Sequence, residues 1–137
     1  MSATDCFFDT NVVVYSLSTD RRKADRSGKL LRIGGIISVQ VLNEFTLVAR
    51  RKYGLDWAWV RERLKELQEA LTVAPLTIDT HRRGIEVAER YGFGVNDSMI
   101  VAAALLAGCT TLWSEDMHEG LTINGLTIRN PYSASEE

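Results

Sequence analysis

Only two cysteines, Cys6 and Cys109, occur in the 137 residues, far apart and with no CxxC pair. Neither a disulfide framework nor a zinc site is indicated, and two buried free thiols are expected. Long apolar runs are missing too: the longest, Met99–Cys109, is too short to cross a bilayer. The N-terminus has no basic stretch leading into an apolar one, so a cytoplasmic protein without membrane association is expected. Histidine is scarce. His81 lies beside Arg82 and Arg83, and His118 beside Glu119, so both read as exposed and neither is a strong candidate for proton transfer. No Ser-His-Asp or Cys-His arrangement and no phosphate-cradling glycine loop is visible.

What the chain does have is an uneven distribution of charge. The net charge is only −2, but residues 1–65 hold 12 of the 16 bases and 7 of the 18 acids, whereas residues 66–137 hold 4 bases and 11 acids. The first half is therefore net positive by 5 and the second net negative by 7. Bases gather at Arg21, Arg22, Lys23, Arg26, Lys29 and Arg32, and again at Arg50, Arg51 and Lys52. Each cluster fits either a phosphate-facing surface or an ordinary solvated helix face.

Length and composition predict one globular domain over residues 1–132 and a disordered tail over 133–137. Short apolar runs at Cys6–Phe8, Gly35–Ser38, Leu71–Leu76, Thr110–Trp113 and Leu126–Ile128 have strand length. Between them, helical periodicity covers about 20–33, 39–53, 56–70, 79–91 and 97–107, with Gly34, Gly54, Gly92 and Gly108 as stops. Strands alternating with helices predict an α/β fold: a mostly parallel five-stranded sheet with helices on both faces. Such sheets bind ligands at the carboxyl ends of strands, beside a topological switch point.

Four acids fall at positions suited to that edge. Asp9 ends the first strand and precedes a short helix, where it serves either as an N-cap or as a site residue. Glu44 occupies the i+3 slot of the apolar stripe Val41, Phe45, Val48, so its carboxylate is either held against the core side or snorkels out at the stripe's edge. Asp97 opens a helix that is apolar almost all round, where capping and dipole complementarity compete with a ligand role. Asp116, preceded by Glu115, follows the strand Thr110–Trp113 and Ser114. Two carboxylates about 5 Å apart repel by roughly 3 kcal/mol at an effective dielectric of about 20, so four such groups stay ionised together only around a cation. Oxygen-only ligation points to Mg²⁺ or Mn²⁺, ions that activate water and neutralise charge on a phosphodiester.

The stretches Phe-Phe-Asp9-Thr-Asn11-Val, Leu-Asn43-Glu44-Phe, Asn96-Asp97-Ser-Met-Ile-Val-Ala-Ala-Ala and Ser114-Glu115-Asp116-Met, in this order, resemble the PIN-domain ribonucleases, and in particular the VapC-type toxins of bacterial toxin–antitoxin pairs. The resemblance runs from about Cys6 to Tyr132 and includes the ending Leu-Thr-Ile-Asn-Gly-Leu-Thr-Ile-Arg-Asn-Pro-Tyr. It implies a three-layer α/β/α domain that hydrolyses RNA with water activated at Mg²⁺ or Mn²⁺ held by Asp9, Glu44, Asp97 and Asp116. Asn11 and Ser114 match the family's small polar residues, which would orient acids or water. A homodimer and a cognate antitoxin are implied as well, the antitoxin lying in the active-site groove and covering otherwise exposed aromatics. Trp57 and Trp59, nearly opposite on one helix, cannot both face the core, so one is free for such a surface. One departure is that Asn96 stands where many relatives carry an aromatic residue.

Three other readings compete. A receiver-like or phosphohydrolase domain needs a late lysine, and none follows Lys65. An RNA-processing nuclease without an antitoxin would use the same acids. A catalytically silent binding module would have no use for four costly carboxylates in one pocket.

Overall fold

The apolar triplets Cys6–Phe8, Ile36–Ser38 and Thr111–Trp113 are buried residue by residue, as strands covered on both faces must be. A computed structural model, which describes residues 5–133, makes them the core strands β1, β2 and β4. The chain runs β1, α1 (Thr10–Val14) with one 3-10 turn (Tyr15–Leu17), α2 (Arg21–Ile33), β2, α3 (Val39–Arg51) and α4 (Trp57–Ala70). It continues through β3 (Thr72–Ala74), α5 (Ile78–Tyr91), α6 (Val95–Leu106), β4, β5 (Thr122–Ile123) and β6 (Leu126–Arg129).

The strand order is β3-β2-β1-β4-β6-β5, parallel throughout except for the β5–β6 hairpin. From β1 the chain steps to β2 and β3 on one side, then crosses to β4 on the other. Right-handed crossovers put α1–α4 on one face and α5–α6 on the opposite face, giving the expected α/β/α layering. The crossing makes the gap between β1 and β4 the switch point. Phe7, Phe8, Ile37, Phe45, Ile100 and Leu112 fill the core on either side of the sheet.

The sheet has six strands, one more than expected. Ile123 pairs with Leu126 across Asn124-Gly125, both at positive φ, the backbone that a two-residue hairpin turn requires. With only two residues, β5 is too short for an alternating pattern to announce it; the Asn-Gly pair was its signal. The four glycines expected to end helices all lie in the left-handed region, and the expected helices begin and end within two residues of their expected bounds. Ser133, expected to open a disordered tail, donates its hydroxyl to Glu119 at 2.8 Å. Residues 134–137, the rest of that expectation, and 1–4 lie outside the described residues. Of the tryptophans, Trp59 is half-buried and Trp57 is 50% exposed beneath the Arg50 guanidinium. No helix among the described residues is long and apolar enough to cross a membrane.

Gly35 leads into β2 where the backbone passes the Phe8 ring. A Cβ there would lie 2.6 Å from a ring carbon and 3.1 Å from the Cys6 carbonyl oxygen, and Phe8 is fully packed. Gly35→Ala should therefore lose about 1–3 kcal/mol of stability. Chemical denaturation would show this as a lower midpoint, and an unchanged midpoint would refute the close packing.

Candidate active site

The four acids arrive from four different elements. Asp9 follows β1, and its backbone N–H donates to the Trp113 carbonyl at 2.9 Å, prolonging the β1–β4 ladder by one step. One carboxylate oxygen accepts the Thr10 N–H at 2.7 Å, capping α1, and the other accepts the Ser114 hydroxyl at 2.7 Å and the Asn11 amide at 3.3 Å. Asp9 is thus both the helix cap and a wall of the cleft. The Asn11 amide also donates to Asp116 at 2.8 Å, and the Ser114 hydroxyl lies 3.2 Å from the same Asp116 oxygen. Asn11 and Ser114 therefore bind the two strand-end acids into one unit.

The two helix acids form a second unit. Glu44 is half-buried on α3, with one oxygen accepting the Thr10 hydroxyl and the other the Gln40 amide at 3.0 Å. The core-side reading holds, with two neutral donors rather than a buried cation as its local partners. Asp97 does not open α6: the N-cap is Gly94, which makes no side-chain cap bond, and Asp97 sits in the first helical turn. An acid there is favoured by the helix dipole and remains free for the cleft. Asn96 contributes its backbone carbonyl, which accepts from Gln40 at 3.0 Å, while the residue itself is exposed.

All four acids line one open cleft of about 400 Å³ at the switch point, together with Thr10, Asn11, Val14, Tyr15, Ser18, Val48, Lys52 and Tyr53. The lining thus combines four carboxylates with apolar and aromatic residues and a single lysine. Glu115 is turned away from the acids. Its carboxylate accepts the Tyr15 hydroxyl and is ion-paired with Lys23, whose ammonium lies 4.7 Å from the Tyr15 ring centre. Burial pushes the Glu115 carboxyl up, but Lys23 and Tyr15 outweigh it and hold it below its usual range. It supports the loop, not the cluster.

The basic clusters divide in the same way. Arg22 and Arg26 donate to the backbone carbonyls of Tyr132 and Pro131, so together with Lys23 half of the first cluster latches α2 to the end of the described chain and to Glu115. In the second cluster, only Lys52 reaches the cleft. His81 and His118 are exposed and outside it. Thr10 and Gln40 were missed as site residues. Gln40 could have been found, since it sits four residues before Glu44 on the same helix face.

The sequence matches the PIN-domain family model over residues 6–118. The chain belongs to the PIN-domain family. No curated protein sequence matches it. Among solved structures, this PIN domain resembles a toxin–antitoxin complex from Klebsiella pneumoniae at 19% identity and a TM-score of 0.70, covering 93% of this chain and 98% of that one. It also resembles VapBC2 from Rickettsia felis bound to a promoter DNA fragment, at 20% identity and a TM-score of 0.65, over 91% and 97% of the two chains. A third is Mycobacterium tuberculosis VapC20, a sarcin–ricin loop cleaving toxin, at 16% identity and a TM-score of 0.67, over 81% and 89%. At these identities the likeness is one of fold.

Burial, more than crowding of like charges, governs the titration of Asp9 and Asp97 in this PIN-domain cleft. The Asp9 carboxyl is pushed up to about 7, chiefly by burial; its bonds from Ser114 and Thr10 oppose the shift, and Asp116 and Asp97 add to it. Asp97 is raised by burial and then by Asp116 and Glu44. The donor set of four carboxylates is all oxygen, which suits a hard divalent cation. Among the described residues no three of these groups are drawn together as a closed ligand cluster; Asp9, Glu44 and Asp116 rest on their hydrogen-bond donors, and Asp97 lines the cleft beside them.

Because the folded Asp9 carboxyl holds its proton up to about pH 7 while an unfolded one loses it near pH 4, chelator-treated protein should lose stability as pH rises between those values. The change is bounded at about 4 kcal/mol. Urea titrations at pH 5 and 7.5 in EDTA would measure it, and Asp9→Asn should flatten the slope. A wild-type slope of the opposite sign would contradict the burial of this carboxyl.

Proposed function

We propose that the protein is a divalent-metal-dependent endoribonuclease, the toxin of a toxin–antitoxin pair, that hydrolyses RNA phosphodiester bonds. The observation that carries this reading is the convergence of Asp9, Glu44, Asp97 and Asp116, from four separate elements, on one cleft at the sheet's switch point. Family membership and the toxin–antitoxin neighbours support it. Mg²⁺ or Mn²⁺ held by these four carboxylates would lower the pKa of a coordinated water and neutralise charge developing on the phosphodiester.

The chain's own residues do the rest. Asn11 and Ser114 keep Asp9 and Asp116 aimed together, and the Thr10 hydroxyl ties Glu44 to the same helix start. Lys52 supplies a positive charge to a backbone phosphate in the cleft, and Tyr15, Tyr53, Val14 and Val48 give its lining apolar surface on which a base can lie. The antitoxin would occupy the groove and block it. Exposed Trp57, Leu47 and Val39 offer apolar surface for that partner or for a second copy of the chain in a homodimer. Action on RNA implies a cytoplasmic location.

Purified protein should cut an RNA panel in Mg²⁺ or Mn²⁺ and not in EDTA, and Asp9→Asn and Asp97→Asn should each lower the rate by at least about 100-fold. Cleavage that survives both EDTA and these substitutions would end the nuclease reading. The product of a short neighbouring reading frame with a DNA-binding N-terminus, added at equimolar ratio, should suppress cleavage. The absence of any such inhibitory partner would favour an RNA-processing role for the same chemistry.

A further inference from the structure

We propose that Gln40 is a positioning residue that ties Glu44 to the Asp97-bearing start of α6 and so sets the spacing at which these two carboxylates take a shared divalent cation. The inference rests on the metal-dependent reading above. A glutamine amide nitrogen carries two hydrogens, and here both are used: one on the Glu44 carboxylate and one on the Asn96 backbone carbonyl, each at 3.0 Å. The two acceptors lie on helices from opposite faces of the sheet. One side chain thus fixes the orientation of one acid and the distance to the next.

Two features of α6 make the tie consequential. The helices α2, α3, α4 and α5 each start on a side-chain cap, from Asp20, Ser38, Asp56 and Thr77, whereas α6 starts at Gly94 without one. Its first turn, which bears Asp97, is held from outside through Asn96. Glu44 and Asp97 line the same cleft, and two carboxylates turned to one space repel each other. Gln40 and Thr10 together leave Glu44 little freedom to retreat, since each of its oxygens already has a donor. The separation of 56 residues between Gln40 and Asn96 means that no local chain geometry replaces this link.

The test uses the full chain with Gln40→Met and Gln40→Leu, which keep the bulk and remove both donors. Mn²⁺ affinity is read by electron paramagnetic resonance of free Mn²⁺, without RNA, and folding by thermal unfolding in EDTA. The expected result is a 10- to 100-fold weaker Mn²⁺ Kd, the usual cost of losing an outer-sphere partner, with unfolding temperatures close to wild type. A Kd within twofold of wild type in either folded variant overturns the inference while leaving the nuclease reading intact, provided Asp97→Asn weakens Mn²⁺ binding. Wild-type protein that takes up no Mn²⁺, with Asp97→Asn no different, removes the metal reading and this inference with it.

Discussion

The facing of four carboxyl side chains into one cleft is the constraint around which this site is arranged. Three of the acids are anchored by neutral donors: Asp9 and Asp116 by Ser114 and Asn11 at the strand ends, and Glu44 by Thr10 and Gln40. These bonds turn the carboxylates toward one cleft without pairing them with a cation. Such an arrangement costs stability through desolvation and like-charge repulsion. It is tolerable only because the surrounding sheet and helices are packed tightly. Asp9 shows the tension best, being nearly fully buried, hydrogen-bonded on both oxygens and still driven to bind a proton.

Most of the architecture was legible in the sequence because its signals are local. Alternating apolar triplets and amphipathic helices punctuated by glycines define a parallel α/β sheet without knowledge of contacts. The convergence of the acids was legible for a different reason: the carboxyl edge of such a sheet is where loops from distant segments must meet. Asp9 and Asp116 sit directly after paired strands, so topology alone brings them together.

What escaped were features that depend on side-chain direction. Asp97 is expected at the opening of its helix, where a cap and a ligand role compete, yet Gly94 takes the cap position and the acid stands in the first turn. Glu115, adjacent to a site acid, faces the opposite way because Lys23 and Tyr15 capture it. The basic cluster of α2 fitted either a phosphate-facing surface or a solvated helix face, but half of it serves the fold by gripping residues 131–132 and Glu115. A positive charge near an acid-rich cleft is therefore ambiguous until its partner is known; Lys52, which lines the cleft, is the base that keeps its functional reading.

The ladder that seats Asp9 joins the first strand to the fourth, with Ser114 lying 105 positions downstream of the acid it holds. A chain still emerging from the ribosome, with β4 inside the exit tunnel, owns Asp9 but lacks the partner strand, the hydroxyl and the second strand-end acid. The paired strand-end acids thus cannot assemble before β4 and the loop after it have been made. However early Asp9 itself is synthesised, the cleft waits for its first and fourth strands to meet.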